Sequence, residues 1–154
     1  MIAHDNPGVI APPPLIYLAG MVLGFGIEML APIRLSGSPA LLLIGWGLLA
    51  LAMGLSAWGY ATMRRAGTNI DPREPATTVV QSGPYRFSRN PLYLSLTLFQ
   101  AGLGFLLRDP WMWVSLVFVL AIIRQGVVAR EERYLEAKFG LEYLQYKSRV
   151  RRWL

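Results

Sequence analysis

The sequence lacks cysteine, has a single histidine, His4, and carries charge on only 16% of its 154 residues. Without cysteine there is no disulfide framework and no thiolate nucleophile, and one histidine is too few for the usual zinc site or Ser-His-Asp triad. Apolar residues are abundant instead: 54% of the chain is hydrophobic, and the mean hydropathy is +0.39. Soluble domains carry about a quarter charged residues, so this composition excludes an ordinary soluble domain.

Charges are missing from long stretches of the chain. Twenty-two uncharged residues follow Asp5 and 29 follow Arg34. A helix of about 20 apolar residues crosses the roughly 30 Å hydrocarbon layer and satisfies its own backbone hydrogen bonds there. A third run covers residues 90–107, and a fourth reaches full length only if its helix continues past Arg124. The sequence therefore predicts one all-α, polytopic membrane domain over residues 1–154, with about four transmembrane helices at residues 15–33, 40–63, 91–107 and 111–129.

The end of the chain predicts two further helical features. Arg108, Asp109 and Pro110 separate the last two apolar runs, which indicates a tight turn and a C-terminal helical hairpin. Apolar residues then recur every three or four positions from Leu135 to Trp153, with Lys and Arg between them. This pattern is typical of an amphipathic helix on a membrane surface or over a loop, and we predict such a helix over residues 131–153.

Small residues at a spacing of four let membrane helices approach closely. They occur as Gly20 with Gly24 and as Ala50 with Gly54, and both pairs predict packing seams. A carboxylate near the end of a span is costly in lipid. We therefore expect Glu28 to face protein, water or a basic partner such as Arg34.

The basic residues predict the orientation in the membrane. Of the 15 Lys and Arg residues, the four-span arrangement puts only Arg34 and Arg108 on one side and the other 13 on the opposite side. Because Lys and Arg accumulate in short cytoplasmic loops, residues 64–90 and both termini are predicted to be cytoplasmic, in the cytoplasmic (inner) membrane. Topology and attraction to anionic membrane lipids account for the net charge of +6, so nucleic acid is not needed as a partner.

Two polar clusters are predicted to meet at the cytoplasmic surface. The loop over residues 64–90 is long for so small a protein, and long loops are usually functional or disordered. It ends at Asn90, a predicted N-cap, before Pro91 in the first turn of the third span. Arg130, Glu131, Glu132 and Arg133 follow the fourth span. Spacing alone also allows solvated ion pairs there, but a helical hairpin brings the two clusters side by side.

These residues occur in a familiar order. The segments are Gly83-Pro84-Tyr85-Arg86, Arg89-Asn90-Pro91-Leu92-Tyr93, Glu131-Glu132-x-x-Leu135, Phe139-Gly140-x-x-Tyr143-x-x-Tyr146 and Arg149-Val150. From about Thr68 to Trp153 the chain resembles the isoprenylcysteine carboxyl methyltransferases and the related membrane phospholipid methyltransferases. It departs from the eukaryotic members at Asn90, where they have histidine. Asparagine exchanges hydrogen bonds but does not titrate.

The resemblance implies a membrane methyltransferase whose cofactor, S-adenosylmethionine, lies at the cytosolic ends of the last transmembrane helices. By position, the backbone of Thr77, Thr78, Val79 and Val80 would line the adenosyl pocket, and Tyr85, Asn90, Tyr93 and Glu131 would contact the cofactor. Arg89, Asn90, Glu132 and Arg124 are the candidate catalytic residues. Arg89 and Glu132 would pair across the two helix ends, whereas Arg124 would either meet an anionic substrate group or extend to the membrane interface.

Cofactor chemistry limits the reaction but not the methyl acceptor. In a binding pocket, an anion would match the cofactor's amine and a cation or helix N-terminus would match its carboxylate. Aromatic faces would match its sulfonium. We expect a lipophilic acceptor that enters from the bilayer, with a carboxylate, thiol or amine as nucleophile. An amine would need a base such as Glu131, Glu132 or a tyrosine. Two alternatives remain at this point: an NADPH-binding reductase related to the membrane sterol reductases, and a catalytically silent membrane scaffold.

Overall fold

All the secondary structure elements of the described residues are helical. A computed structural model describes residues 5–33, 35 and 37–153; His4 and Arg34 lie outside them. The helices are α1 (Pro13–Leu30), α2 (Pro39–Arg65), α3 (Pro91–Leu107), α4 (Pro110–Ile122), α5 (Ala129–Phe139) and α6 (Leu141–Arg149), with a 3₁₀ turn at Gly83–Arg86 and a π-helical segment at Ile123–Val128. No β-strand occurs among the described residues, which confirms the predicted all-α class.

Three helical stretches are long and apolar enough to cross a membrane: α1, α2 and the continuous helix Pro110–Phe139. The fourth candidate, α3, is apolar but has 17 residues, close to the lower limit for a span. Large apolar side chains such as Leu43, Trp46 and Phe118 are exposed on the outer faces of these helices. Exposed apolar faces on long apolar helices are expected where the surrounding solvent is lipid, and the count of four spans stays a prediction.

Several helix bounds differ from the prediction. The first helix covers Pro13–Leu30 rather than residues 15–33, because prolines suit the first turn of a helix and Pro32 disfavours helical backbone at Ala31. The fourth helix does continue past Arg124. The amphipathic helix predicted over residues 131–153 is divided into α5 and α6 at Gly140, where φ is +52°, and it ends at Arg149.

One of the two predicted small-residue seams is used within the chain. A Cβ on Gly20 would lie 2.3 Å from Val119 Cγ2, and one on Gly24 would lie 3.0 Å from the α4 backbone. Glycine at these positions therefore permits the close packing of α1 on α4. Ala50 and Gly54 are exposed, and nothing lies within 4 Å of a Cβ built on Gly54, so the predicted seam on α2 is not an internal contact.

The hairpin of α3 and α4 is closed by a tight turn, as the sequence predicts. Arg108 takes a left-handed conformation with φ of 56°, and buried Asp109 accepts a hydrogen bond from the Met112 amide at 3.2 Å. Inside the hairpin the Gln100 amide donates to the Met112 carbonyl at 3.2 Å and to Ser115 Oγ at 3.0 Å. Because the helices are antiparallel, the start of α3 lies at the same end of the bundle as α5.

Buried Tyr17 fixes α1 against the start of α3. Its hydroxyl lies 3.1 Å from the Tyr93 carbonyl, to which it donates, and 2.7 Å from Thr97 Oγ1. Tyr17 packs in a core with Val119, Ile123 and residues 127–128. This core lies directly below the polar end of the bundle and holds the helices that carry the candidate site.

Candidate functional site

A cavity of about 150 Å³ lies where α3 and α5 begin. Its walls come from the loop between α2 and α3, the first turns of α3 and α5, and the inner face of α6. Nine of the eleven residues singled out from the sequence line it: Thr78, Val79, Val80, Tyr85, Arg89, Asn90, Tyr93, Glu131 and Glu132. The hairpin and the C-terminal helices thus bring together residues that are more than 50 positions apart.

The other two, Thr77 and Arg124, do not line the cavity. Thr77 is exposed; its amide is bonded to Thr68 Oγ1 at 3.1 Å and its hydroxyl to the Gly67 carbonyl at 3.0 Å. These groups are bonded within the loop, and the assignment of Thr77 to the adenosyl pocket stays a prediction. Arg124 is exposed on the π-helical segment, and both roles considered for it stay predictions.

Glu131 is a partly buried carboxylate that lines this cavity. The continuous helix Pro110–Phe139 is about 45 Å long at 1.5 Å per residue, so its last turns, with Glu131, extend beyond the roughly 30 Å hydrocarbon layer. Tyr93 donates a hydrogen bond to Glu131 Oε1, and no basic side chain pairs with Glu131 among the described residues. Desolvation, together with the neighbouring charge of Glu132, raises the pKa of Glu131 to about 7.

Glu132, the next residue, has several cationic partners. Its side chain is 8% exposed and lies 3.1 Å from Arg89 Nη1. Arg152 binds it with both arms of its guanidinium, from Nε to Oε1 at 2.8 Å and from Nη2 to Oε2 at 2.6 Å. Lys147 Nζ lies 4.0 Å away. The predicted pairing of Arg89 with Glu132 is therefore present, but Arg152 provides the better-aligned contact.

Arg89 is a buried cation with spare hydrogen-bond donors. Its side chain is 9% exposed, and its Nε and Nη1 have no aligned hydrogen-bond acceptor among the described residues. It is also the only Lys or Arg among the described residues that line the cavity. A buried donor left unpaired costs about 1–3 kcal/mol, so the position favours a ligand that supplies an acceptor, such as a carboxylate.

Five tyrosines surround these charges: Tyr85, Tyr93, Tyr134, Tyr143 and Tyr146. The Tyr146 hydroxyl donates to the Tyr85 carbonyl at 2.8 Å, which joins α6 to the 3₁₀ turn. Burial raises the pKa of Tyr143 to about 12 and raises the pKa of Tyr85 and Tyr146 as well. These hydroxyls stay protonated at neutral pH, so they donate hydrogen bonds and do not act as bases.

Asn90 begins α3 but does not cap it with its side chain. Its Nδ2 instead donates to the Arg152 carbonyl at 2.9 Å. The predicted N-cap position is therefore confirmed, while the amide is committed to the C-terminal end of the chain. An amide donor suits this carbonyl at every pH, because asparagine does not titrate.

The N-terminal segment also borders the cavity, a feature that the sequence did not indicate. Pro7 lines the cavity, and Asp5 accepts hydrogen bonds from Tyr134 at 2.8 Å and from Lys138 at 2.6 Å. The Tyr134 hydroxyl also accepts from the Ala76 amide at 3.2 Å. Tyr134 thus joins the N-terminal segment, the long loop and α5, through partners too distant in sequence to form a local motif.

Comparison with known proteins gives the same family that the motifs suggest. The family model for phospholipid methyltransferases matches residues 40–142, two thirds of the chain. A protein-S-isoprenylcysteine O-methyltransferase of Saccharomyces cerevisiae is 35% identical over 78 residues, which are 51% of this chain and 33% of the yeast protein. An uncharacterized protein of Haemophilus influenzae is 44% identical over 63 residues, 41% of this chain and the whole of that protein.

A third relative is the cobalt-zinc-cadmium resistance protein CzcN of Cupriavidus metallidurans. It is 31% identical over 104 residues, 66% of this chain and 47% of CzcN. The chain therefore spans a third to a half of the two relatives whose names state a role. No protein of solved structure matches it. From the family match and its apolar helices, the chain belongs to the phospholipid methyltransferase family and is an integral membrane protein.

Proposed function

We propose that this protein transfers a methyl group from S-adenosylmethionine to a lipophilic acceptor at the cytoplasmic surface of the membrane. The observation that carries the proposal is that one cavity holds a cation and a carboxylate that are both available to a ligand. Arg89 offers two buried nitrogens, Nε and Nη1, without an aligned acceptor, and Glu131 offers a partly buried carboxylate that has no basic partner among the described residues. Family membership and the apolar helices support the same reaction class.

The residues present fit the cofactor group by group. Its α-carboxylate would accept hydrogen bonds from Arg89 Nε and Nη1, and its α-ammonium would pair with Glu131. These two cofactor groups share one carbon atom, and the matching residues, Arg89 and Glu131, line the same cavity. The aromatic rings of the cavity suit the sulfonium, because a positive charge is attracted to the face of a ring.

When bound, S-adenosylmethionine supplies an electrophilic methyl carbon; the acceptor's lone pair forms the new bond and the carbon–sulfur bond breaks, leaving its electron pair on sulfur. The protein's part is to bind, orient and exclude water. Glu131 and Arg89 would fix the cofactor's amino-acid end, while α6 and the long loop cover the cavity. Positioning of reactants in this way supplies about 7 to 11 kcal/mol toward the barrier.

The acceptor's chemistry follows from the bases that this site lacks. Tyr85, Tyr143 and Tyr146 stay protonated at neutral pH, and Glu132 is held by cations. A carboxylate or thiolate acceptor needs no base, whereas an amine has to arrive deprotonated or lose its proton to Glu131. The site therefore favours an acceptor that is already anionic. Its apolar part would lie in the bilayer, beside the helices that border the cavity.

Calorimetric titration of the purified, detergent-solubilised protein with S-adenosylhomocysteine tests the proposal. We expect binding by the wild type and at least about tenfold weaker binding by Glu131→Ala, the loss of roughly 1.4 kcal/mol expected for a charged hydrogen bond. Glu142→Ala is the control, because Glu142 is an exposed glutamate on α6 that does not line the cavity. Absence of wild-type binding would overturn the proposed cofactor, and equal binding by both variants would overturn the role of Glu131.

Transfer of a radiolabelled methyl group from S-adenosylmethionine to membrane lipid extract tests the reaction itself. We expect labelled product to partition with lipophilic acceptors. No product with lipid, thiol or prenylcysteine acceptors would favour the silent scaffold.

A further inference from the structure

The last described residues form a strap, residues 150–153, that follows α6 and crosses the start of α3. The Arg89 amide donates to the Arg151 carbonyl at 3.0 Å. Ser88 Oγ and Asn90 Nδ2 donate to the Arg152 carbonyl at 3.3 and 2.9 Å. Trp153 packs against the core around Tyr17. Three consecutive residues, 88 to 90, thus hold the strap, and all three precede α3.

The Arg152 side chain extends from this strap to Glu132. It makes two parallel contacts, at 2.8 and 2.6 Å, with the two carboxylate oxygens. A bidentate guanidinium–carboxylate pair is among the strongest and most directional of side-chain contacts. Arg152 therefore makes the bidentate contact with Glu132 that Arg89 would otherwise make.

Arg89 is left with an ion-pair contact of 3.1 Å to Glu132 and with two nitrogens, Nε and Nη1, that have no aligned acceptor. If Arg152 were absent, Arg89 would be free to turn its guanidinium fork onto Glu132 and satisfy those donors there. The donors would then no longer be available in the cavity. Arg152 lies beyond residues 40–142, the region that the family model matches.

We propose that Arg152 and Asn90 are positioning residues that keep the Arg89 donors available for a carboxylate ligand. Arg152 neutralises Glu132 in place of Arg89, and Asn90 holds the Arg152 backbone so that its side chain has this reach. The inference rests on the proposed function, because the ligand carboxylate is assigned to the amino-acid part of S-adenosylmethionine.

The test compares two ligands that differ in that carboxylate. S-adenosylhomocysteine carries the α-amino and α-carboxylate groups, and 5′-methylthioadenosine has the same nucleoside and thioether without them. For Arg152→Met we expect about tenfold weaker binding of S-adenosylhomocysteine by calorimetry, since a hydrogen bond to a charged group contributes roughly this factor, and unchanged binding of 5′-methylthioadenosine. Arg152→Lys should recover part of the loss, because lysine keeps the charge but not the fork.

Asn90→Ala should show the same ligand-selective loss, and it serves as the second variant if Arg152→Met does not yield folded protein. Arg151→Met is the matched control, because the exposed Arg151 contributes only its backbone carbonyl to these contacts. We expect it to bind both ligands as the wild type does.

Equal weakening of both ligands in Arg152→Met would show a general loss of structure and would overturn the inference. Unchanged binding of S-adenosylhomocysteine would also overturn it while leaving the proposed function intact. Absence of binding by the wild type is a different result, which would overturn the proposed function and the inference together.

Discussion

At the residue scale, adjacent glutamates have opposite environments. Glu132 is held by the guanidinium of Arg152, by Arg89 and, at longer range, by Lys147. Glu131 has the Tyr93 hydroxyl as its partner and a pKa of about 7. Two carboxylates in sequence therefore divide into one that stabilises the fold at the helix ends and one that is available to a cationic ligand.

The raised pKa of Glu131 predicts a pH dependence of cofactor binding. A positive ligand group favours the ionised carboxylate, so binding below the free-state pKa requires loss of a proton. We expect affinity for S-adenosylhomocysteine to increase by up to about tenfold per pH unit below pH 7 and to level off above it. Calorimetry between pH 5.5 and 8 measures this profile. Glu131→Gln should bind weakly and without this dependence, and an identical profile in that variant would contradict the assignment.

At the element scale, the joint between α5 and α6 decides how the cavity is covered. Gly140 takes φ of +52° and ψ of −123°, a conformation that side chains beyond glycine rarely adopt. The turn brings α6 back over the loop, where Tyr143 and Tyr146 pack against Val79. A single straight helix, as the amphipathic period predicts, would leave Val79 and its neighbours uncovered.

Gly140→Ala is accordingly expected to destabilise the protein by about 1–3 kcal/mol. The expected observation is a fall of several degrees in the apparent Tm in detergent, with weaker binding of S-adenosylhomocysteine. Gly54→Ala is a matched control, because Gly54 lies in α2 with open space around it, and alanine is favoured over glycine in a helix. A Gly140→Ala variant as stable as this control would exclude strain at the joint.

At the scale of the whole molecule, the first and the last described residues lie at the same end of the bundle. Asp5 is bonded to Lys138, and the Arg130 guanidinium donates to the Gly8 carbonyl at 2.8 Å. An even number of crossings, as in the four-span prediction, brings the two ends together in this way. The cavity is therefore enclosed by the N-terminal segment, the long loop and the C-terminal helices.

The basic residues predict that this end is cytoplasmic. Because the chain has no cysteine, single cysteines at exposed positions can be labelled without background. We expect Thr77→Cys and Ser148→Cys to react with a membrane-impermeant maleimide only after cells are permeabilised, and Pro32→Cys to react in intact cells. The reverse pattern would invert the topology, and labelling of all three in intact cells would contradict the span assignment.

Much of the site could be predicted from the sequence because it depends on local patterns along the chain. Apolar runs predicted the helices, and residues 108–110 predicted the hairpin. The hairpin brings Tyr93 and Glu131 together. The loop itself uses the amide and the hydroxyl of Thr77, which its position in the sequence did not show. Tyr134 and Asp5 were missed because their contact joins residues 129 positions apart, a separation at which no periodicity operates.

By itself, then, the sequence determined the all-α class, the membrane environment and the end of the bundle that carries the polar residues, since hydropathy and charge act along the chain. Only the tertiary structure decided which charges are satisfied. Arg152 makes the bidentate contact with Glu132, Asn90 holds the Arg152 carbonyl, and Arg89 keeps two nitrogens without an aligned acceptor. Competition among cations for one buried carboxylate depends on distance and direction in space, which residue order does not specify.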